Sequence, residues 1–201
     1  MKIITKNKGE DKMKKVLVLL ADGFEEIEAL SVVDVLRRAN VDCKMCSIEG
    51  EYVRGTHDIV VKSDCNINNI NSDEYDAVVL PGGLPGADNL KSDSVKELVI
   101  KMNNAGKIVA AICAAPETLE YFNILENKNC TSYPGFIQER DKVNYVEDEL
   151  VVVDGNIITS RGPATALVFA LTILRELDCI NEVEDIQEGM LINLYNKYSK
   201  Q

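Results

Sequence analysis

The segment Lys107–Phe122 constrains the fold more than any other part of the chain. The apolar run Ile108-Val-Ala-Ala-Ile112 ends on Cys113, and Ala114, Ala115, Pro116 and a helix-like pattern follow. This order reads as a buried strand, a sharp turn and a helix. The cysteine falls on the turn, where unpaired N–H groups and the dipole of the next helix favour negative charge. A thiolate there is expected to have a pKa below the free value of about 8.5. The two alanines leave the turn uncrowded, as a nucleophile on an elbow requires. The other reading of the same residues is a buried structural cysteine.

Similar units occur along the chain. Lys15–Leu20 reads as a first strand, Asp22-Gly23 ends it, and a helix is expected from Phe24 to Ala39. Phe24, Val32, Val35, Leu36 and Ala39 share one face of that helix at 100° per residue. Glu28 lies in the middle of this face, so its carboxyl must find partners or take up a proton. Glu25 and Glu26 fall in the first turn, where acidic residues suit the dipole. Val41–Ile48 is a second strand, and Tyr52–Arg54 with Ile59–Lys62 form a short hairpin around Gly55-Thr56. His57, the only histidine, reads as a loop residue. Tyr75–Leu80 is a strand that runs into Pro81-Gly82-Gly83. That loop is either an ordinary turn or a source of N–H groups for an oxyanion. Ser94–Asn104 is helical and Gly106 stops it. Leu150–Val153 and Asn156–Ser160 make a hairpin across Asp154-Gly155. Arg161-Gly162-Pro163 leads into a helix over Ala164–Leu177, and one last amphipathic helix is expected over Val183–Tyr198. Residues 1–12 are polar and Lys-rich and read as an extension. Met1 and Met13 are both candidate starts, and residues 13–201 form a single domain. Strands alternating with helices predict an α/β fold, a mainly parallel sheet covered on both faces. Sites in such sheets lie beyond the strand C-termini, which gathers Glu28, Gly82-Gly83, Cys113 and Arg161 at one edge.

Composition removes several function classes. The formal net charge of -11 argues against a phosphate-backbone partner, and so against nucleic acid. No run approaches the ~18 apolar residues of a membrane span. Met13–Ala21 has too short an apolar stretch for a signal peptide, so a cytoplasmic protein is expected. The six cysteines are then expected as free thiols. Cys43-Lys-Met-Cys46 lies on a strand, where an offset of three puts the sulfurs on opposite faces. No second Cys or His pair completes a zinc site, so no metal is expected.

Four motifs together resemble the ThiJ/PfpI superfamily, in its DJ-one-like deglycase branch: Ala21-Asp-Gly-Phe-Glu-Glu-Ile-Glu28, Val78-Val-Leu-Pro-Gly-Gly83, Ala110-Ala-Ile-Cys-Ala114 and Thr159-Ser-Arg-Gly-Pro163. The resemblance runs from about Met13 to the last helix. It implies a flavodoxin-like three-layer α/β sandwich, usually a homodimer. It also implies Cys113 as nucleophile or oxidisable thiol, with the Glu28 carboxyl hydrogen-bonded to it. The N–H groups of Gly83 and Ala114 would form an oxyanion hole, with Gly82 in the same loop. Ser160, Arg161, Gly162 and Pro163 would line the pocket. Proteases of the superfamily carry His after the cysteine, where this chain has Ala114, and the deglycase has His where this chain has Tyr133. Tyrosine, with a pKa near 10, is a poor base at neutral pH. The implied activity is cofactor-free conversion of methylglyoxal, glyoxal or their early adducts. The alternative is an oxidative-stress sensor or chaperone that uses oxidation of Cys113.

Overall fold

Strand β1 (Lys15–Leu20) shows how the sequence builds the centre of the molecule. Val16, Val18 and Leu20 pack into one apolar cluster, while Leu17 and Leu19 pack into a second. A strand apolar on both faces must be covered on both, and that requirement sets the layers. The structure, a computed structural model, describes residues 13–138 and 141–198. The extension expected over 1–12 lies outside the described residues.

In chain order β1 is followed by α1 (Glu26–Arg38), β2 (Asp42–Ser47), β3 (Tyr52–Arg54), β4 (Val60–Lys62), β5 (Cys65–Asn66) and β6 (Ala77–Leu80). Then come α2 (Gly86–Asn89), α3 (Asp93–Asn104), β7 (Ile108–Ile112), α4 (Pro116–Tyr121), β8 (Asn129–Cys130) and β9 (Asn144–Tyr145). The chain closes with β10 (Val151–Asp154), β11 (Ile157–Ser160), α5 (Ala166–Glu176), α6 (Ile180–Gly189) and α7 (Ile192–Tyr198). The main sheet has seven strands in the order β10-β11-β7-β6-β1-β2-β5. All neighbours are parallel except β10 and β11. Helices α1, α5 and α6 cover one face, and α3 and α4 cover the other. This is the flavodoxin-like three-layer α/β sandwich with a mainly parallel central sheet. Cys43 and Cys46 enter opposite clusters, as their offset on a strand requires.

Several elements differ from the sequence reading. Helix α1 starts at Glu26, with Glu25 as its N-cap, instead of at Phe24. The expected last helix is two helices, broken where Leu191 takes φ +58° after the α6 C-cap at Met190. A left-handed residue at that position ends a helix while leaving the apolar spacing intact. Strand β5, two residues long, carries no periodicity signal at all. Among the described residues no helix is long and apolar enough to cross a membrane.

Candidate active site

Cys113 is the first residue past β7, and its φ is +64°. This left-handed conformation costs a non-glycine residue about 1–2 kcal/mol. Two backbone bonds hold it: Cys113 N–H donates to Ser160 O at 3.0 Å, and Tyr133 N–H donates to Cys113 O at 2.9 Å. The half-buried sulfur receives the N–H groups of Ala114 and Gly83, both of which favour its charged form.

Glu28 reaches the same point from α1 and is fully buried. Its Oε2 accepts the Gly82 N–H at 2.8 Å. Its Oε1 has no nitrogen or oxygen partner, and the Cys113 thiol is the side chain hydrogen-bonded to this carboxyl. Gly82 sits between the two groups. A Cβ there would fall 2.7 Å from Cys113 Cβ and 2.7 Å from Glu28 Oε2, so only glycine fits.

The charges follow from this packing. Burial raises the Glu28 carboxyl to about 7, against the opposing bonds from Cys113 and Gly82. Burial, then the Glu28 charge, pushes the Cys113 thiol up to about 12. The depressed thiol pKa expected from the strand–helix turn is therefore corrected. Helix α4 has only six residues, and the nearest charge to the sulfur is a carboxylate. Acid and thiol titrate as one unit.

The other expected residues separate into groups. The N–H of Gly82 is committed to Glu28, so the donors facing the sulfur are those of Gly83 and Ala114. Ser160 is fully buried, its side chain donating to Leu150 O at 2.8 Å and meeting Thr165 Oγ1 at 2.7 Å; its carbonyl, not its hydroxyl, serves the elbow. Arg161 Nη1 donates to Thr131 Oγ1 at 3.2 Å and also to Glu147 O, which ties the loop that follows β11 to neighbouring segments. Tyr133 is 48% exposed, and its ring lies against buried Gly162. Pro163 opens the short turn that leads into α5. A cavity of about 570 Å³, lined by Lys14, Val41, Asp76 and Cys179 among others, lies at the strands' N-terminal edge, away from Cys113.

The sequence reading missed a second cluster beside the first. Glu26 lies in the first turn of α1, as expected, but it is only 4% exposed and has further partners. Its Oε1 accepts the N–H groups of His57 at 2.8 Å and Ile59 at 3.4 Å, and its Oε2 meets His57 Nδ1 at 2.9 Å. Burial opposes its ionisation, but the His57 contacts and the backbone donors outweigh burial and lower its pKa. The same bond, with the nearby Glu25 charge, raises His57. Gly55 permits this approach, since a Cβ there would fall 2.2 Å from Glu26 Oε1. Thr56 completes the docking of the β3–β4 tip, with its N–H on Phe24 O at 2.9 Å and its hydroxyl on Leu84 O at 3.0 Å. Partners some thirty residues apart leave no periodic trace in sequence; the paired glutamates and the lone histidine were the only signal. Among the described residues, Glu25, Glu26 and His57 are also the one group of side chains close enough to share a metal, their ligand atoms all lying within 4.8 Å.

Residues 14–176 match the model of the DJ-1/PfpI family. This chain belongs to that family. Protein dj-1beta of Drosophila melanogaster is 40% identical over 182 residues, which is 89% of this chain and 97% of that protein. Its crystal structure superposes with a TM-score of 0.86 at 41% identity, covering 89% of this chain and 98% of that one. A deglycase of Pyrococcus horikoshii is 36% identical over 152 residues, 75% of this chain and 91% of the relative. The structure of Toxoplasma gondii DJ-1 in oxidized form matches with a TM-score of 0.81 at 34% identity, covering 89% and 98% of the two chains. In this DJ-1/PfpI chain the elbow, the acid and the Gly82-Gly83 loop come from three separate segments that meet at the strand C-termini.

Proposed function

We propose that this DJ-1/PfpI protein is a cofactor-independent deglycase or glyoxalase acting on methylglyoxal, glyoxal or their early adducts on amines and thiols. The observation that carries the reading is the buried Glu28 carboxyl, raised to about 7, hydrogen-bonded to the Cys113 thiol. The likeness to a relative named a deglycase supports it. An acid with a pKa near ambient pH both accepts and returns protons.

The steps are these. Cys113 sulfur adds to the aldehyde carbon, and its proton passes to Glu28. The oxyanion that forms is met by the N–H groups of Gly83 and Ala114, then protonated to a hemithioacetal. Glu28 removes the proton from the former aldehyde carbon and delivers it to the neighbouring carbon, while the hydroxyl on the first carbon loses its proton as its C=O forms and the neighbouring carbonyl oxygen gains one, which gives the thioester of the hydroxy acid. Water then cleaves the thioester and releases the hydroxy acid and the thiol. Neither metal nor cofactor is called on. The protein is expected to work in the cytoplasm as a homodimer, the exposed Ile27 of α1 being suited to a contact between copies.

The test is incubation of the purified protein with methylglyoxal, with lactate measured over time, beside Cys113→Ser. Many turnovers that vanish in the variant support the enzyme. Consumption of one equivalent only refutes turnover. That result favours the second reading, in which Cys113 is a peroxide sensor whose oxidised sulfur is held by the protonated Glu28. The partly buried sulfur beside a buried carboxyl whose only other hydrogen-bond partner among the described residues is the Gly82 N–H supports this reading.

A further inference from the structure

Two cysteines outside the elbow face each other across the sheet edge. In the parallel pair β2–β5, Cys46 is the register partner of Cys65, and Ser47 that of Asn66. Register partners on neighbouring strands point to the same face and stand about 4.7–4.9 Å apart. That separation falls inside the range of about 4.4–6.8 Å between Cα atoms that a disulfide accepts. The side chains do meet. Cys65 packs against the cluster that contains Cys46, and the two thiols hydrogen-bond each other. Each also lies near a backbone carbonyl, Cys46 Sγ 3.9 Å from Ser47 O and Cys65 Sγ 3.8 Å from Met45 O. Both are reduced here, and they differ in access: Cys46 is fully buried, while Cys65 is partly exposed at the edge strand.

We infer that Cys46 and Cys65 form a second redox site, a dithiol that hydroperoxides oxidise to an intramolecular disulfide independently of Cys113. Cys65 sulfur, the accessible one, attacks the peroxide O–O bond. It gains the terminal oxygen and becomes a sulfenic acid, and the alcohol or water leaves with the thiol proton. Cys46 sulfur then attacks Cys65 sulfur. The S–S bond forms, the S–O bond breaks, and hydroxide departs with the Cys46 proton as water. Two thiols have lost two electrons and two protons to one peroxide. Burial raises both thiols, most of all Cys46, so neither is a fast nucleophile.

The position gives the bond a consequence. Residues 48–64 leave the sheet after Ser47, form the β3–β4 hairpin whose tip docks on Phe24 and Glu26 at the start of α1, and return at Cys65. A disulfide closes this excursion at its base and fixes the short β5 to β2.

The experiment uses full-length Cys113→Ser protein, so that oxidation at the elbow is removed, treated with hydrogen peroxide. The expected result is a loss of two hydrogen masses in the intact protein, reversed by dithiothreitol, with a linked Cys46–Cys65 peptide after digestion. Cys65→Ser, at the partly exposed position, abolishes the loss, while Cys179→Ser does not. Cys46→Ser converts Cys65 into a persistent sulfenic or higher oxide. Capture of Cys46 by alkylation after peroxide treatment and denaturation, or a linkage of Cys65 to any other cysteine, overturns the inference. So does the appearance of oxygen adducts on Cys65 in the parent without a linked peptide.

Discussion

Glu26 and Glu28 stand two residues apart at the start of α1, and both are buried. Their acidities move in opposite directions, down for Glu26 and up for Glu28. Burial pushes both upward, but it dominates at the deeper Glu28, whereas at Glu26 the donors outweigh it. Glu26 meets two backbone N–H groups and an imidazole. Glu28 receives one N–H, and its remaining neighbour is a thiol that is itself an acid. The charge of a buried carboxyl is decided by its depth together with the count and kind of its donors. Here one helix start provides both an anchor, which is ionised and binds the hairpin, and a proton carrier poised near neutrality.

The largest effect that tests this contrast is on turnover. Glu28→Gln keeps a donor and the side-chain shape but cannot carry a proton, so kcat with methylglyoxal is expected to fall about 10²–10⁴-fold. Turnover within a factor of a few of the parent would remove Glu28 from the proton path. The same variant should be more stable at pH 8, not less. In the fold Glu28 keeps its proton up to about 7 against an ordinary 4.5, so stability falls as pH rises from 4.5 to 7. That interval corresponds to about 3 kcal/mol. Urea titrations at pH 5 and pH 8 should show this decline in the parent and its loss in Glu28→Gln. The thiol, freed of the neighbouring charge, should titrate well below about 12, read as thiolate absorbance against pH.

Next in size is the anchor. Glu26→Ala leaves the His57 and Ile59 N–H groups without their acceptor and should cost about 2 kcal/mol in urea unfolding at pH 6. An equal loss from Glu28→Gln would erase the distinction between the two positions. The elbow gives a smaller effect. At φ +64° Cys113→Gly should be about 1 kcal/mol more stable than Cys113→Ala, measured by thermal unfolding. The reverse order would mean that the elbow is relaxed. The smallest effect concerns His57, which is exposed to solvent. Its raised pKa stabilises the fold fully below its unfolded value of about 6.5, and this contribution is lost as pH rises through the folded value. The lowered Glu26 contributes above its unfolded value of about 4.3 and loses that as pH falls. The pair is therefore strongest between those limits. His57→Gln should flatten the stability profile above pH 6.5, and an unchanged slope there would show that the imidazole is not coupled to Glu26.

Much of this arrangement was legible in the sequence. Ile108–Ile112, Val78–Leu80 and Lys15–Leu20 announced buried strands because each is apolar on both faces. Cys113 stood out because it ends such a run before Pro116. Glu28 stood out because it interrupts an apolar helical stripe. The hairpin contact of Glu26 left no sign in the sequence, because its partners lie on the β3–β4 tip and no local pattern reports a contact across that separation. For Ser160 a motif gives the residue's position but not which of its atoms faces the elbow, and it is the carbonyl that bonds Cys113. The break at Leu191 was hidden because apolar spacing continues across it, although Gly189 was a local warning.

Gly82 has a role that reaches beyond its own segment. Its bare Cα sits in the gap between acid and thiol like a shim of fixed thickness, and the smallest side chain would overfill that gap on both sides. The separation of the two reacting groups is thus machined into main chain, not left to rotamers that relax or exchange. Adaptive substitutions around the rim can reshape what enters and leaves, yet none of them resets this spacing. A lineage in search of different chemistry on this scaffold would have to replace the acid or the sulfur, because the gap itself offers no room for gradual adjustment.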